Sequence, residues 1–307
     1  MAITAALVKE LRDKSGAGMM DCKKALAEND GNIEAAMDWL RTKGLAAAAK
    51  KSGRIAAEGL VAVHVTAQKG AALEVNSETD FVARNDKFQK FVGDLVTLVP
   101  SVGTDIDALA ASAYPNSDKS VQDVLTENIA TIGENMNLRR AATLEIAEGY
   151  IGSYVHGAVA PGMGKIVAMV ALKSSAGEGV LAPLGKQLAM HVAAAKPASL
   201  TVEELDPEMV EREKQVQIEK AKESGKPMEI IEKMIVGRMR KYYEEVVLNE
   251  QTFVIDGETR INKVIAAAAK EAGTPIELAG YVLMELGAGI EKKEEDFAAE
   301  VAAVAGS

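Results

Sequence analysis

The apolar residues of this chain change their period at Gly59. Before it they recur at helical spacing; after it, "LVAVHVTA", a turn at "QKG" and "AALEVNS" follow a period of two, which is a β-hairpin signal. The arrangement returns further along. Glu58-Gly59-Leu60-Val61 opens the first hairpin, and Glu148-Gly149-Tyr150-Ile151 opens a second in which "GYIGSYVHG" pairs with "KIVAMVALK" across "APGMG". Each hairpin leads into a helical segment. One starts at Thr79 and puts Phe81, Val82, Phe88, Phe91, Val92 and Leu95 on its apolar side; the other is "LAPLGKQLAMHVAAA". A two-stranded hairpin cannot bury its apolar face alone, so the repetition predicts two related halves, each a sheet backed by helix.

What surrounds the two halves is helical. Residues 4–45 read as three short helices. The first runs through Leu7, Val8 and Leu11 to a stop at "SGAG"; the second, "MMDCKKALAEN", ends at Asp30-Gly31; the third places Ile33, Ala36, Met37 and Leu40 on one side. "LAAAAKKSGR" then carries the chain on as a helical or loose linker. Residues 101–120 read as a polar insertion punctuated by glycine and proline, before a helix from Val121 and a strand in "LRRAATLEIAEG". From residue 205, Asp206-Pro207 starts a helix and Gly225-Lys226-Pro227 breaks it for a restart. There Val210, Gln217 and Ala221 facing Ile231, Met234 and Met239 make a seam too narrow for a globular core, so a protruding antiparallel coiled coil is expected. The tail returns to a short strand and ends as an amphipathic helix through Phe297, Val301 and Val304.

The expected class is therefore α+β. Its divisions are a three-helix unit at 1–54, a first sheet-and-helix subdomain at 55–140, and a second begun at 141–204 and completed at 247–285. The helical hairpin occupies 205–246 and a C-terminal helical module 286–307.

Composition narrows the function. The chain has 307 residues, 48% hydrophobic and only 4% aromatic, which suits helices packed through small side chains. A net charge of −10 argues against general nucleic-acid binding, because phosphate contacts need clustered Lys and Arg, and favours a protein partner. Cys22 stands alone, which excludes an intrachain disulfide and a thiolate zinc site and fits a reducing compartment. The first residues meet Lys9, Glu10, Arg12 and Asp13 before any long apolar core, unlike a signal peptide. No apolar run approaches the roughly 20 residues that a membrane helix needs. The chain reads as a cytoplasmic protein that does not bind membranes.

Chemistry is harder to find. His64, His156 and His191 are far apart with no metal-ligand spacing, and "PGMGK" has Val159 and Ile166 where a phosphate loop needs glycine and Ser or Thr. No nucleophile elbow and no dinucleotide fingerprint occur. The residues call for no metal or cofactor and point away from an enzyme.

Two blocks, "LRDKSGAGMMDCKKAL" at 11–26 and "EVNSETDFVAR" at 74–84, resemble the bacterial translation elongation factor Ts family, the guanine-nucleotide exchange factors for elongation factor Tu. The likeness continues in order through "IGENMNLRR", "GSYVHG", "AMHVAAAKP" and "DFAAEVAA"; Ser15 departs from the family's usual threonine. The resemblance implies an N-terminal domain of the ubiquitin-associated type, a core of two subdomains, a coiled coil and a C-terminal module. It implies that Phe81 inserts between helices of the partner's nucleotide-binding domain while Asp80 disturbs the Mg²⁺ environment beside it. Val82 belongs to the same block, and Thr79 is left to capping. Arg12, Met19, Met20 and Lys23 would lie against a helix of that domain. Ile132 and Gly133 would give a second support, and the subdomain carrying His156 would meet the partner's outer β-domain.

Plainer readings stand beside these. On spacing alone, Thr79 or Asp80 caps a helix and Phe81 packs inward with Phe88. Met19 and Met20, adjacent at a helix start, cannot both face the small core. Gly133 ends a helix, and His156 is a surface histidine. The three-helix unit taken alone reads as a ubiquitin-type binding scaffold, and a transferase with an unrecognised site would have to show turnover. The coiled coil leaves pairing of two copies open.

Overall fold

The computed structural model describes residues 3–15, 17–66, 68–223 and 225–291. The chain opens with α1 (Ala5–Ser15), α2 (Met19–Glu28) and α3 (Ile33–Lys51). They close over one small core of Val8, Leu11, Cys22, Ala25, Leu26 and Ala36. The turn between α2 and α3 passes through left-handed backbone at Asp30 and Gly31, and Asn32 caps α3 by accepting the Ala35 N–H. The helix then runs on past this core to Lys51, so the linker expected at "LAAAAKKSGR" is helix up to Lys51 and leaves it only at Ser52.

The strands are β1 (Glu58–Val65), β2 (Lys69–Ser77), β3 (Met136–Glu145), β4 (Tyr150–His156), β5 (Met163–Gly164), β6 (Ile166–Lys173) and β7 (Glu277–Glu285). They form two antiparallel sheets, β3-β2-β1-β5 and β4-β6-β7. Period-two alternation decides which side chains go where. Leu60, Ala62, Leu73 and Val75 point one way, into a core shared with α4 (Asp86–Val102), α5 (Ile106–Ala111) and α6 (Val121–Ile132). Val61, Ala72 and, from the second sheet, Val167, Met169 and Ala171 meet in a layer between the sheets. The far side of the second sheet, with Ala168, Val170 and Leu172, is covered by α7 (Glu178–Ala195) and α10 (Ile261–Ala272). Because β6 is buried on both faces, its sequence "IVAMVAL" is apolar throughout rather than alternating.

Three expectations need correction here. The boundary at 140/141 falls inside β3, which runs to Glu145 in the first sheet. The turn closing the second hairpin also leaves its own sheet: Met163 and Gly164 pair with Ala62 and Val61 on the open edge of β1. Residues 101–120 are not a plain insertion. Leu109 on α5 is fully buried, and Tyr114 stacks on Phe91 and donates to Asp94 Oδ2 at 2.5 Å, which pins the segment to α4.

The helices α8 (Pro207–Lys222) and α9 (Met228–Val246) fold back on one another, with Arg238 Nη1 donating to the Gln217 carbonyl at 3.3 Å. Their seam buries Ala221, Ile231, Ile235 and Met239; Ile235, not Met234, is the buried residue at that turn. The helix expected through Phe297, Val301 and Val304, and the module at 286–307 from residue 292 onward, lie outside the described residues.

A buried carboxylate joins distant segments. Glu74 on β2 accepts from Arg139 Nη1 (2.9 Å), Arg140 Nε (2.6 Å), Asn76 Nδ2 (3.0 Å) and the Gly287 N–H (2.8 Å). Burial pushes its carboxyl up, but these four donors together outweigh that and hold it below the usual range.

Candidate functional site

The site grows from the end of β2, which is fixed on both edges by β1 and β3 until the ladder stops at Ser77. Four residues later Phe81 is 80% exposed. Val82 and Ala83 then turn back into the core as part of a 3-10 turn Val82–Arg84, and Val82 is only 3% exposed. The inward place that spacing assigned to Phe81 beside Phe88 is filled by Val82, so Val82 backs the turn from inside and presents no surface to a partner. Asp80 is exposed beside Phe81.

No helix starts at Thr79. The helix start belongs to Asn85, which has extended backbone and whose side chain accepts the N–H groups of Lys87 and Phe88. Thr79 is engaged elsewhere: its N–H donates to Glu134 Oε2 at 2.9 Å and its hydroxyl to Glu134 Oε1 at 2.6 Å. In the opposite direction the Asn135 N–H donates to Glu78 Oε1 at 2.6 Å. Asn135 Nδ2 reaches the Arg54 carbonyl at 2.8 Å, and Arg54 Nη1 lies 3.4 Å from Glu78. The turn carrying Phe81 is thus laced to the turn after α6. Sequence reasoning missed Glu134, Glu78 and Asn135. The only signal for Glu134 and Asn135 was an acid and an amide directly after the helix-ending Gly133, and Glu78 carried none.

Ile132 and Gly133 sit at that second turn. Ile132 packs half-buried against the first core, and Gly133 ends α6 in left-handed backbone, φ 91°, donating to the Ile129 carbonyl. The N-terminal candidates come close to the same region. Met19 (60% exposed) and Met20 (74% exposed) both face outward, because α2 spends its inward positions on Cys22, Ala25 and Leu26. Neither methionine therefore serves the small core. Arg12 and Lys23 are exposed as well. A cleft of about 630 Å³ is lined by Arg12 and Met19 on one side and by Lys87 and Thr131 on the other. Lys87 follows the Asn85 cap, and Thr131 adjoins Ile132, so the cleft runs from the three-helix unit to the two laced turns. His156 stands apart, exposed at the end of β4 in the second sheet, with Nδ1 3.3 Å from the Tyr154 hydroxyl.

His191 is fully buried, and burial pushes its imidazole below the usual range; Nε2 lies 2.9 Å from Gln251 Oε1 and Nδ1 accepts the Val254 N–H at 3.2 Å. Among the described residues no group of three or more His, Cys, Asp or Glu is placed to hold a metal ion. No helix among them is long and apolar enough to cross a membrane.

The family model described as elongation factor TS matches residues 78–288, beginning at the turn that carries Phe81. Among curated proteins, the chain is 58% identical over 305 residues to elongation factor Ts of Paramagnetospirillum magneticum, covering 99% of this chain and 98% of the relative. It is 60% identical over 305 residues to elongation factor Ts of Sphingopyxis alaskensis, with 99% of each covered. For elongation factor Ts of Rhodospirillum rubrum the identity is 60% over 302 residues, with 98% of each covered.

Proposed function

The chain belongs to the elongation factor Ts family, and from that premise we propose that it is a guanine-nucleotide exchange factor for elongation factor Tu. The observation that carries the reading is Phe81, a large apolar side chain held 80% exposed on a turn whose flanks are anchored. A solvated benzyl group on a rigid mount is suited to entering a hydrophobic cleft of another protein. Phe81 inserts between helices of the partner's nucleotide-binding domain, and Asp80 perturbs the surroundings of the partner's Mg²⁺. Ile132 and Gly133 support the same contact. Arg12, Met19, Met20 and Lys23 grip a helix of that domain, and the subdomain carrying His156 meets the outer β-domain.

The thermodynamics require no bond-making by the factor, and we assign it none. It binds better to the empty or loosened GTPase than to the nucleotide-filled one, which speeds release about tenfold for each 1.36 kcal/mol taken off the barrier. By linkage, factor and nucleotide weaken each other's affinity equally, so incoming GTP expels the factor. In this reading the first three helices form a unit of the ubiquitin-associated type, α8 and α9 form a coiled coil, and the protein works in the cytoplasm.

The test is release of fluorescent GDP from purified elongation factor Tu with and without this protein. The expected outcome is acceleration that saturates with concentration. An unchanged release rate at saturating protein overturns the reading.

A further inference from the structure

We propose that Glu134 is a positioning residue for the exchange step, acting through Thr79 on the direction of Phe81; this rests on the wedge role given to Phe81 above. An 80% exposed ring touches too little of its own protein to be aimed by packing, so its direction follows from the backbone on either side. On the C-terminal side the backbone is anchored by burial of Val82 and Ala83. On the N-terminal side the ladder has ended at Ser77, and Glu78 to Asp80 have no strand partner.

Glu134 supplies the missing anchor. Its two carboxylate oxygens take both donors of Thr79, the N–H at 2.9 Å and the hydroxyl at 2.6 Å, while the Ser77 hydroxyl donates to the Thr79 carbonyl at 3.0 Å. Every polar group of Thr79 is thereby occupied, one residue short of Asp80 and two short of the ring. Hydrogen bonds to an ionised acceptor are shorter and about twice as strong as neutral ones, so this is a stiff hold. It reaches across 55 residues of sequence, from the turn that also carries Ile132 and Gly133. The two supports given to the partner contact are thus one mechanical unit. The reciprocal Glu78–Asn135 bond at 2.6 Å keeps the two turns in register when Glu134 is removed, so its loss loosens the aim of the ring and leaves the fold.

The experiment is stopped-flow release of fluorescent GDP from elongation factor Tu over a concentration series of the full chain, separating maximal rate from half-saturating concentration. Glu134→Ala is expected to lower the maximal rate roughly tenfold and to move half-saturation less than about twofold, since the contacts of Arg12, Met19 and Met20 remain. Glu134→Gln keeps an acceptor oxygen for Thr79 and recovers part of the loss. In a Phe81→Ala background, adding Glu134→Ala changes nothing further. A merely structural glutamate would slow both backgrounds by the same factor, and that result overturns the proposal, as does a Glu134→Ala protein with parental rates. Should Glu134→Ala fail to fold, Glu134→Gln is put through the same comparison in both backgrounds. If Phe81→Ala itself leaves release unchanged, the wedge reading fails and this proposal with it. Loss on Phe81→Ala but none on either Glu134 variant refutes the positioning role alone.

Discussion

Phe81 and Val82 are neighbours with opposite fates, one in solvent and one in the core, and their substitutions should separate function from stability. Phe81→Ala removes nothing the fold uses, so its melting temperature should match the parent. Its GDP release should fall by about tenfold to a hundredfold, from the loss of roughly 1.5 to 3 kcal/mol of apolar burial on the partner. Val82→Ala should do the reverse, costing about 1.5 to 2.5 kcal/mol of unfolding free energy in a urea titration. At His191, burial depresses the imidazole below its ordinary value, and the hydrogen bond with Gln251 offsets this only in part. The folded state therefore favours neutral imidazole while the unfolded state takes up a proton near pH 6.5. Stability from this group is complete above that pH and is lost as pH falls from there through the folded value. Denaturant unfolding between pH 7.5 and 5 should show the decline, and His191→Gln should flatten it.

Among the elements, close backbone approach decides one contact. Gly152 on β4 and Gly185 on α7 touch so closely that a Cβ on Gly152 would stand 2.3 Å from the Gly185 carbonyl carbon. Gly152→Ala must push α7 off the sheet, and calorimetry should show a loss of about 1 to 3 kcal/mol or more. Most elements were legible because their period is local: "LVAVHVTA" announces β1, and Asp206-Pro207 announces α8. What escaped depended on distant partners. Thr79 is a sound helix cap by type, but Glu134 claims both its donors and leaves Asn85 to start α4. Leu109 and Tyr114 lie in a segment that reads as polar, yet Leu109 joins the first core and Tyr114 packs against it beside Phe91 and Asp94. In the helical hairpin, the choice of Ile235 over Met234 is one of rotation about the helix axis, which adjacent apolar residues leave undetermined. For the candidate site, resemblance named Asp80 and Phe81 and the structure shows both exposed, whereas the lacing between their turn and the turn after α6 was not legible.

At the level of the molecule, two features tie the sheets together. Glu74 draws the turn after β7 onto β2 and β3, with Arg140 Nη2 donating to the Glu285 carbonyl at 2.7 Å and Arg139 reaching the Ala288 carbonyl. Glu74→Ala leaves two guanidinium groups without their shared anion. Both are partly exposed and can rehydrate, so the cost should stay below the range for a fully buried pair, at no more than about 3 kcal/mol in a urea titration. Hydrogen exchange at the Gly287 N–H should speed up in the same variant. The second tie is β5, whose pairing with β1 carries the closing turn of one hairpin into the neighbouring sheet. Each sheet thus lends a turn or a strand end to the other. On the exchange reading, two sheets pinned at both places would pass a push at one contact straight to the other.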